Sequence, residues 1–317
     1  MNGDANFAAA REGLARLVGN VERVIFGKRR QVLLAVIGLV AEGHVLLEDV
    51  PGTGKTTLAR ALAKSLDLEF RRIQFTSDLM PSDVLGVSVH DAATGEFVLK
   101  PGPVFANVIL ADELNRTTPR TQSALLECMS DRRVSVDGRT RELPRPFLVL
   151  ATQNPLEFEG TYPLPESQLD RFLLRIAMGY PAREDERRVL RTRAAGTDVD
   201  ALAPVLTRED ILGIITLSRS VRVDPAIEDY VLSILDATRH GGRFALGLST
   251  RAGVGLVRAA QAHALLSGRD FCIPDDVKQL AVPVLAHRVV ASAVVSEDAS
   301  DGARLVTDLL AAIAVPA

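Results

Sequence analysis

Only two of the 317 residues are cysteines, and that scarcity narrows the chemistry open to the chain. Cys128 and Cys272 fall in separate predicted helices and offer neither a disulfide framework nor the spacing of a thiolate metal site. A reduced cytoplasm is the expected home. Charge of one sign is lacking too. Lys and Arg number 37 against 40 Asp and Glu, giving a net charge of −3 and a pI near 6.0, without any dense basic tract. Constitutive nucleic-acid binding is therefore not expected, although a loop that touches nucleic acid is compatible with this balance. The longest apolar run, residues 32–41, reaches about half of a membrane span. The start, Met1-Asn-Gly-Asp-Ala5, lacks the basic residues and apolar stretch of a signal peptide, so a cytoplasmic protein with no membrane insertion is expected. No internal repeat or low-complexity segment stands out.

What is present is a glycine loop set between a strand and a helix. Glu48-Asp-Val-Pro-Gly-Thr-Gly-Lys-Thr-Thr57 follows the apolar run Val45-Leu-Leu47 and precedes Leu58-Ala-Arg-Ala-Leu-Ala63. A nucleotide phosphate cradle needs that context, because loop N–H groups and a helix N-terminus then converge on the β- and γ-phosphates. Pro51, Gly52, Thr53, Gly54, Lys55, Thr56 and Thr57 are the expected contacts. Lys55 neutralises phosphate charge, and the Thr56 hydroxyl can ligate Mg²⁺. The pattern departs from G-x-x-x-x-G-K-[ST] at one place, where Asp49 stands for the first glycine. Aspartate tolerates unusual backbone angles better than most residues, and Gly52 and Gly54 remain where backbone must approach phosphate.

A second signal lies downstream. Val108-Ile-Leu-Ala-Asp-Glu-Leu-Asn115 is a short apolar run that ends in adjacent carboxylates. A buried parallel strand reads this way and delivers its last residues to the ligand edge of an α/β sheet. Asp112 is placed to hold Mg²⁺ through water, and Glu113 to polarise the attacking water as general base. Taken alone, such a pair is as often a solvated loop. Behind a phosphate loop it reads as catalytic.

The length and a 47% hydrophobic content favour two domains with substantial cores. Strand-like runs fall at 45–49, 71–75, 108–111, 147–151 and 172–176, with helical segments at 6–23, 29–42, 55–66 and 119–131. Alternating strands and helices imply parallel pairing in a layered αβα domain. Two hairpins interrupt the alternation, 86–90 with 96–100 and 133–136 with 140–143. The second turns on Asp137-Gly138, a strong two-residue hairpin signal. After Tyr180-Pro181 strand signals stop and helical periodicity takes over, with N-cap signals at Thr207, Asp224, Ser249 and Pro274. Arg183-Glu-Asp-Glu-Arg-Arg188 reads as a solvated helix face. The expected division is 1–180, an αβα nucleotide-binding domain with hairpin insertions, and 181–317, a smaller all-α lid.

With these features in place, the chain resembles the MoxR family of AAA+ ATPases across nearly its whole length. The resemblance is densest in residues 101–181. There the sequence carries Pro101-Gly-Pro-Val-Phe-Ala-Asn107, Ala111-Asp-Glu-Leu-Asn-Arg116, Thr121-Gln-Ser-Ala-Leu-Leu-Glu127, Ala151-Thr-Gln-Asn-Pro155 and Gly160-Thr-Tyr-Pro-Leu-Pro-Glu-Ser-Gln-Leu-Asp-Arg-Phe172. It matches Lys55 and Thr56 to Walker A, and Asp112 and Glu113 to Walker B. Asn154 matches sensor 1, Arg171 an arginine finger acting on a neighbour's nucleotide, and Arg251, in Gly247-Leu-Ser-Thr-Arg-Ala252, sensor 2. Phe26 and Gly27 fall where such ATPases contact adenine, though core packing explains Ile25-Phe-Gly27 equally well. Gln74 or Thr76, after the second strand, is placed to hold Glu113 inactive.

The resemblance implies an ATPase that uses ATP and Mg²⁺ at the interfaces of a homo-oligomeric ring, expected to be hexameric. It implies chaperone-like remodelling or maturation of protein complexes, with a partner bearing a von Willebrand factor A domain. That partner must be a separate protein, because the chain holds no Asp-x-Ser-x-Ser signature. Three rivals remain open at this point: a metal-chelatase motor subunit, a nucleic-acid-stimulated motor, and a nucleotide-gated scaffold without turnover.

Overall fold

Four apolar runs become parallel strands buried by the helices packed on the sheet, and a more polar run, 70–74, pairs beside them as a largely exposed edge strand. The computed structural model describes residues 2–48, 52–93, 95–153, 160–194, 199–240, 242–292 and 301–316. The strands are β1 (His44–Glu48), β2 (Phe70–Gln74), β5 (Val108–Asp112), β8 (Leu148–Gln153) and β9 (Phe172–Ile176), in the order β2-β5-β8-β1-β9. Alternate residues serve two cores. Val45 and Leu47 of β1, with Val108 and Leu110 of β5, face one cluster. Leu46, Ile109 and Ala111 face the other.

The first core is closed by α1 (Asn2–Glu22), α2 (Arg29–Val40) and α3 (Lys55–Ser65), together with the helical C-terminal half. The second is closed by α4 (Pro81–Leu85) and α5 (Pro119–Asp131). Two ribbons project from this side, β3 (Gly86–His90) with β4 (Phe97–Pro101), and β6 (Arg133–Val136) with β7 (Arg139–Glu142). Asp137 and Gly138 both take positive φ, 51° and 74°, as a two-residue primed turn requires.

The remainder is built from α6 (Glu166–Leu169), α7 (Arg183–Ala194), α8 (Arg208–Ser218), α9 (Pro225–His240), α10 (Thr250–Leu266), α11 (Pro274–Leu285) and α12 (Gly302–Ala312). The N-cap signals fall where expected. Thr207 and Asp210 form a capping box at α8, Asp224 accepts from the Ala226 N–H, and Ser249 accepts from the Ala252 N–H at α10. Two details differ from the sequence reading. A two-strand ribbon, β10 (Phe244–Leu246) with β11 (Val290–Ala291), lies in the otherwise helical half. Cys272 sits in the short link before α11 rather than in a helix. Both cysteines are buried, and burial pushes each thiol up to about 12, which leaves them inert at neutral pH.

One carboxylate ties the two halves together. The side chain of Glu42, after α2, is 7% exposed and accepts from Arg132 at 2.6 Å and Arg145 at 3.0 Å, and it pairs with Arg219 from the end of α8. Arg132 and Arg145 bracket the β6–β7 ribbon, so the base of that ribbon and the end of α8 share one anchor.

Candidate active site

The sheet order puts the ends of β1 and β5 on either side of β8. Loops leaving these strands therefore meet at one edge, where α/β sheets bind ligands. After β1, Gly52 and Gly54 take φ of 85° and 95°, angles that side chains strain to reach. Gly54 caps α3 and offers no side chain to its first turn, an arrangement suited to an anion there. Lys55, Thr56 and Thr57 form that turn. Asp49, Pro51 and Asn154 lie outside the described residues.

Asp112 ends β5, and its two oxygens are engaged from both neighbouring strands. Thr152 of β8 donates its hydroxyl to Oδ1 at 2.6 Å. Arg72 of β2 donates to Oδ2 from Nη2 at 2.6 Å and from Nε at 3.1 Å. The next residue, Glu113, has left-handed backbone angles (φ 57°, ψ 47°), and its N–H is held by the Thr152 hydroxyl at 2.8 Å. A non-glycine residue in that region is strained, and the Thr152 contact helps impose it. The Gln74 amide donates to Glu113 Oε2 at 2.6 Å, and Arg116 lies 3.3 Å from the same oxygen. Of the two residues expected near Glu113, Gln74 makes the contact. Thr76 hydrogen-bonds Asp78 instead.

Arg72 and Thr152 were not singled out by sequence. Arg72 lies two residues before Gln74 and so shares its face of β2, which was the available signal. Thr152 is the second residue of the Ala-Thr-Gln-Asn-Pro run.

Beside the glycine loop, a cavity of about 90 Å³ is lined by Ile25, Phe26, Gly52, Thr53, Pro181 and Val189 among others. Helix α7 closes it: the Arg188 guanidinium sits 4.5 Å over the Phe26 ring. At Gly27 (φ 67°) a Cβ would fall 2.1 Å from the Asp185 carboxylate, so a larger residue there would be strained and would push that side chain aside. The Arg183–Arg188 run is thus more than a solvated face.

Arg171 and Arg251 do not reach this edge. Arg171 immediately precedes β9, whose first residue pairs with His44 at the start of β1, whereas the glycine loop follows the end of β1. At about 3.3 Å per residue, the strand separates the two ends by roughly 15 Å. Arg171 donates to the Leu126 carbonyl at 2.7 Å and the Ser130 hydroxyl at 2.9 Å, in the last turns of α5. It lines a cavity of about 150 Å³ with Arg251, Arg258, Arg132 and Arg288, against two carboxylates, Asp170 and Glu42. Of the expected catalytic residues that are described, Glu113 therefore lies at one end of the strands and Arg171, with Arg251 beside it, at the other.

Comparison with known proteins bears on this geometry. A family model described as ATPase family associated with various cellular activities (AAA) matches residues 44–174, and an AAA lid domain model matches 236–309. A chaperone named MoxR1 from Mycobacterium tuberculosis is 42% identical over 297 residues, covering 91% of this chain and 78% of its own. The chain belongs to the MoxR family of AAA+ ATPases. Another relative in this comparison, an uncharacterized Bacillus subtilis protein named YeaC, is 48% identical over 96% of the chain and 95% of its own length. The crystal structure of a Cytophaga hutchinsonii protein assigned as an ATPase superposes with a TM-score of 0.92 at 36% identity, covering 100% of this chain and 98% of that one. The fold is accordingly the AAA+ P-loop sheet followed by a helical lid. Membership in this family of ATPases carries nucleotide binding and ATP hydrolysis in general terms. No helix among the described residues is long and apolar enough to cross a membrane.

Proposed function

We propose that this MoxR-family chain hydrolyses ATP at the interfaces of a homo-oligomeric ring, a hexamer, and uses the cycle to remodel or mature protein complexes in the cytoplasm. The observation that carries this reading is the placement of Arg171 and Arg251 at the sheet edge opposite Lys55, Asp112 and Glu113. An arginine about 15 Å from its own phosphate loop, as Arg171 is, suits a nucleotide held by another copy.

In this reading residues 1–180 bind the nucleotide and 181–317 form the lid. Thr56 and Asp112 hold Mg²⁺, which supplies charge neutralisation at the β- and γ-phosphates. Lys55 and the loop 51–54 seat the phosphates, Thr57 supports them, and Phe26 with Gly27 borders the adenine. Glu113 accepts the proton of the attacking water, and Asn154 orients that water. Arg171 and Arg251 arrive from the neighbour to stabilise charge on the transferring phosphoryl group. The chaperone role rests on likeness to a relative named as a chaperone. A separate protein with a von Willebrand factor A domain is the proposed partner.

Sedimentation and ATP turnover with and without nucleotide test this function. Rings that form with ATP and turn over slowly are expected. A nucleotide-indifferent monomer with full ATPase activity would sink the reading. Purification on a Glu113→Gln trap followed by mass spectrometry would name the client.

A further inference from the structure

One buried arginine from the lid meets both residues that flank Arg171, bonding the second and lying in ion-pair range of the first. Arg288 follows α11, and its side chain is 5% exposed. Its Nη2 donates to the carbonyl of Phe172 at 2.6 Å. Its Nη1 lies 3.6 Å from Oδ1 of Asp170 and makes no hydrogen bond. The neighbouring His287 donates from Nε2 to the same Phe172 carbonyl at 2.9 Å. Backbone is thus fixed immediately after Arg171, and a carboxylate immediately before it.

Asp170 has a second contact. The Ser249 hydroxyl lies 3.4 Å from each of its oxygens, and Ser249 also caps α10 by accepting from the Ala252 N–H at 3.1 Å. Arg251 stands in the first turn of that helix. One carboxylate therefore links the segment bearing Arg171, the cap of the helix bearing Arg251, and the buried Arg288.

Burying a guanidinium is costly unless its partners are well placed, and an apolar side chain would dock the lid at lower cost. Burial also pulls Arg288 down to about 10, with Asp170 opposing and Arg251 adding to the fall, so it stays charged at neutral pH. A charge kept at this cost, spanning both neighbours of Arg171, suits a group that sets direction rather than one that fills space.

We propose that Arg288 is a positioning residue for Arg171. It fixes the backbone just after that arginine, pairs with the carboxylate just before it and, through Asp170 and Ser249, holds Arg171 and Arg251 at one spacing for the neighbour's phosphates. This rests on Arg171 acting in trans.

The test is a double-mutant cycle on assembled protein, with ATP affinity and kcat measured separately for Arg288→Gln, Arg171→Ala and the double variant. Arg288→Gln should lower kcat roughly 10- to 100-fold, the cost of about 1 Å of misplacement, while ATP affinity stays within about twofold. In the Arg171→Ala background the same change should have no further effect on kcat. Arg288→Lys, which keeps the charge but reaches only one flanking group, should fall between. If the Arg288 variants fail to assemble, Asp170→Asn probes the same link from its more exposed end and should show the same non-additivity with Arg171→Ala. Wild-type kcat in Arg288→Gln, a loss of ATP affinity, or a full multiplicative loss on top of Arg171→Ala would each overturn the proposal. Wild-type turnover in Arg171→Ala itself would instead overturn the finger assignment on which it rests.

Discussion

Arg72 donates two hydrogen bonds to one oxygen of Asp112, at 2.6 and 3.1 Å, across adjacent strands. The other oxygen is taken by the Thr152 hydroxyl. The carboxylate proposed to hold Mg²⁺ therefore carries a resident cation, and metal must compete with it.

Arg72→Gln should lower the Mg²⁺ concentration for half-maximal ATPase. Arg72 is half exposed, so the gain is modest, about two- to fivefold for an ion pair worth up to about 1 kcal/mol. A metal titration checks this, and an unchanged midpoint would remove Arg72 as a competitor.

Gln74 holds Glu113 at 2.6 Å. If that contact restrains the base, Gln74→Ala should raise turnover of the isolated protein by up to about tenfold, the worth of a charge-assisted hydrogen bond of about 1.5 kcal/mol. A fall in turnover would mean that Gln74 orients Glu113 for work rather than restraining it.

Lys55 and Glu113 separate binding from chemistry. Lys55→Ala should abolish or greatly weaken ATP binding by calorimetry, because the main phosphate charge partner is gone. Glu113→Gln should bind ATP normally and lose about 100-fold or more in turnover, since an amide accepts no proton. Retained affinity in the first variant, or normal turnover in the second, would contradict these roles.

Much of this was legible in sequence. The five strands, both ribbons, the caps at Thr207 and Ser249 and the helix start at Pro274 announce themselves because each depends on residues close along the chain. The position of Asp112 and Glu113 at the end of β5 was readable because the apolar run before them fixes where the strand stops. Arg72 and Thr152 were not, since their roles depend on which strands flank β5, and crossovers of about 40 residues set that. Arg288 carries no motif at all. Its meaning comes from a lid docked on β9, more than 100 residues away in sequence. The β10–β11 ribbon is short and borrows its pairing from distant chain, so periodicity could not reveal it.

Two buried histidines predict how stability depends on pH. Burial lowers His44 to about 4; the Met129 carbonyl opposes this, and Arg132 and Arg251 add to it. Burial, with Arg288 nearby, lowers His287 to about 3. Both folded values lie below the ordinary value of 6.5, so the folded state binds fewer protons. Their stabilisation is fully present above about pH 6.5 and is lost as pH falls toward each folded value. For His44 the loss is roughly 2–5 kcal/mol. Urea unfolding of nucleotide-free protein at several pH values should show a shallower decline in His44→Gln between pH 6.5 and 4. Parallel curves for wild type and variant would contradict this.

The central claim is that Glu113 from one subunit and Arg171 from its neighbour complete each site. Arg171→Ala and Glu113→Gln should each keep only a small residual turnover alone. Mixed one to one in rings that exchange subunits, they should rebuild about a quarter of the interfaces, one half times one half, and ATPase activity should return. Activity that stays at the single-variant level in exchanged rings, while Glu113→Gln titrated into wild type lowers activity only linearly, would show that Arg171 is not the residue completing the neighbour's site.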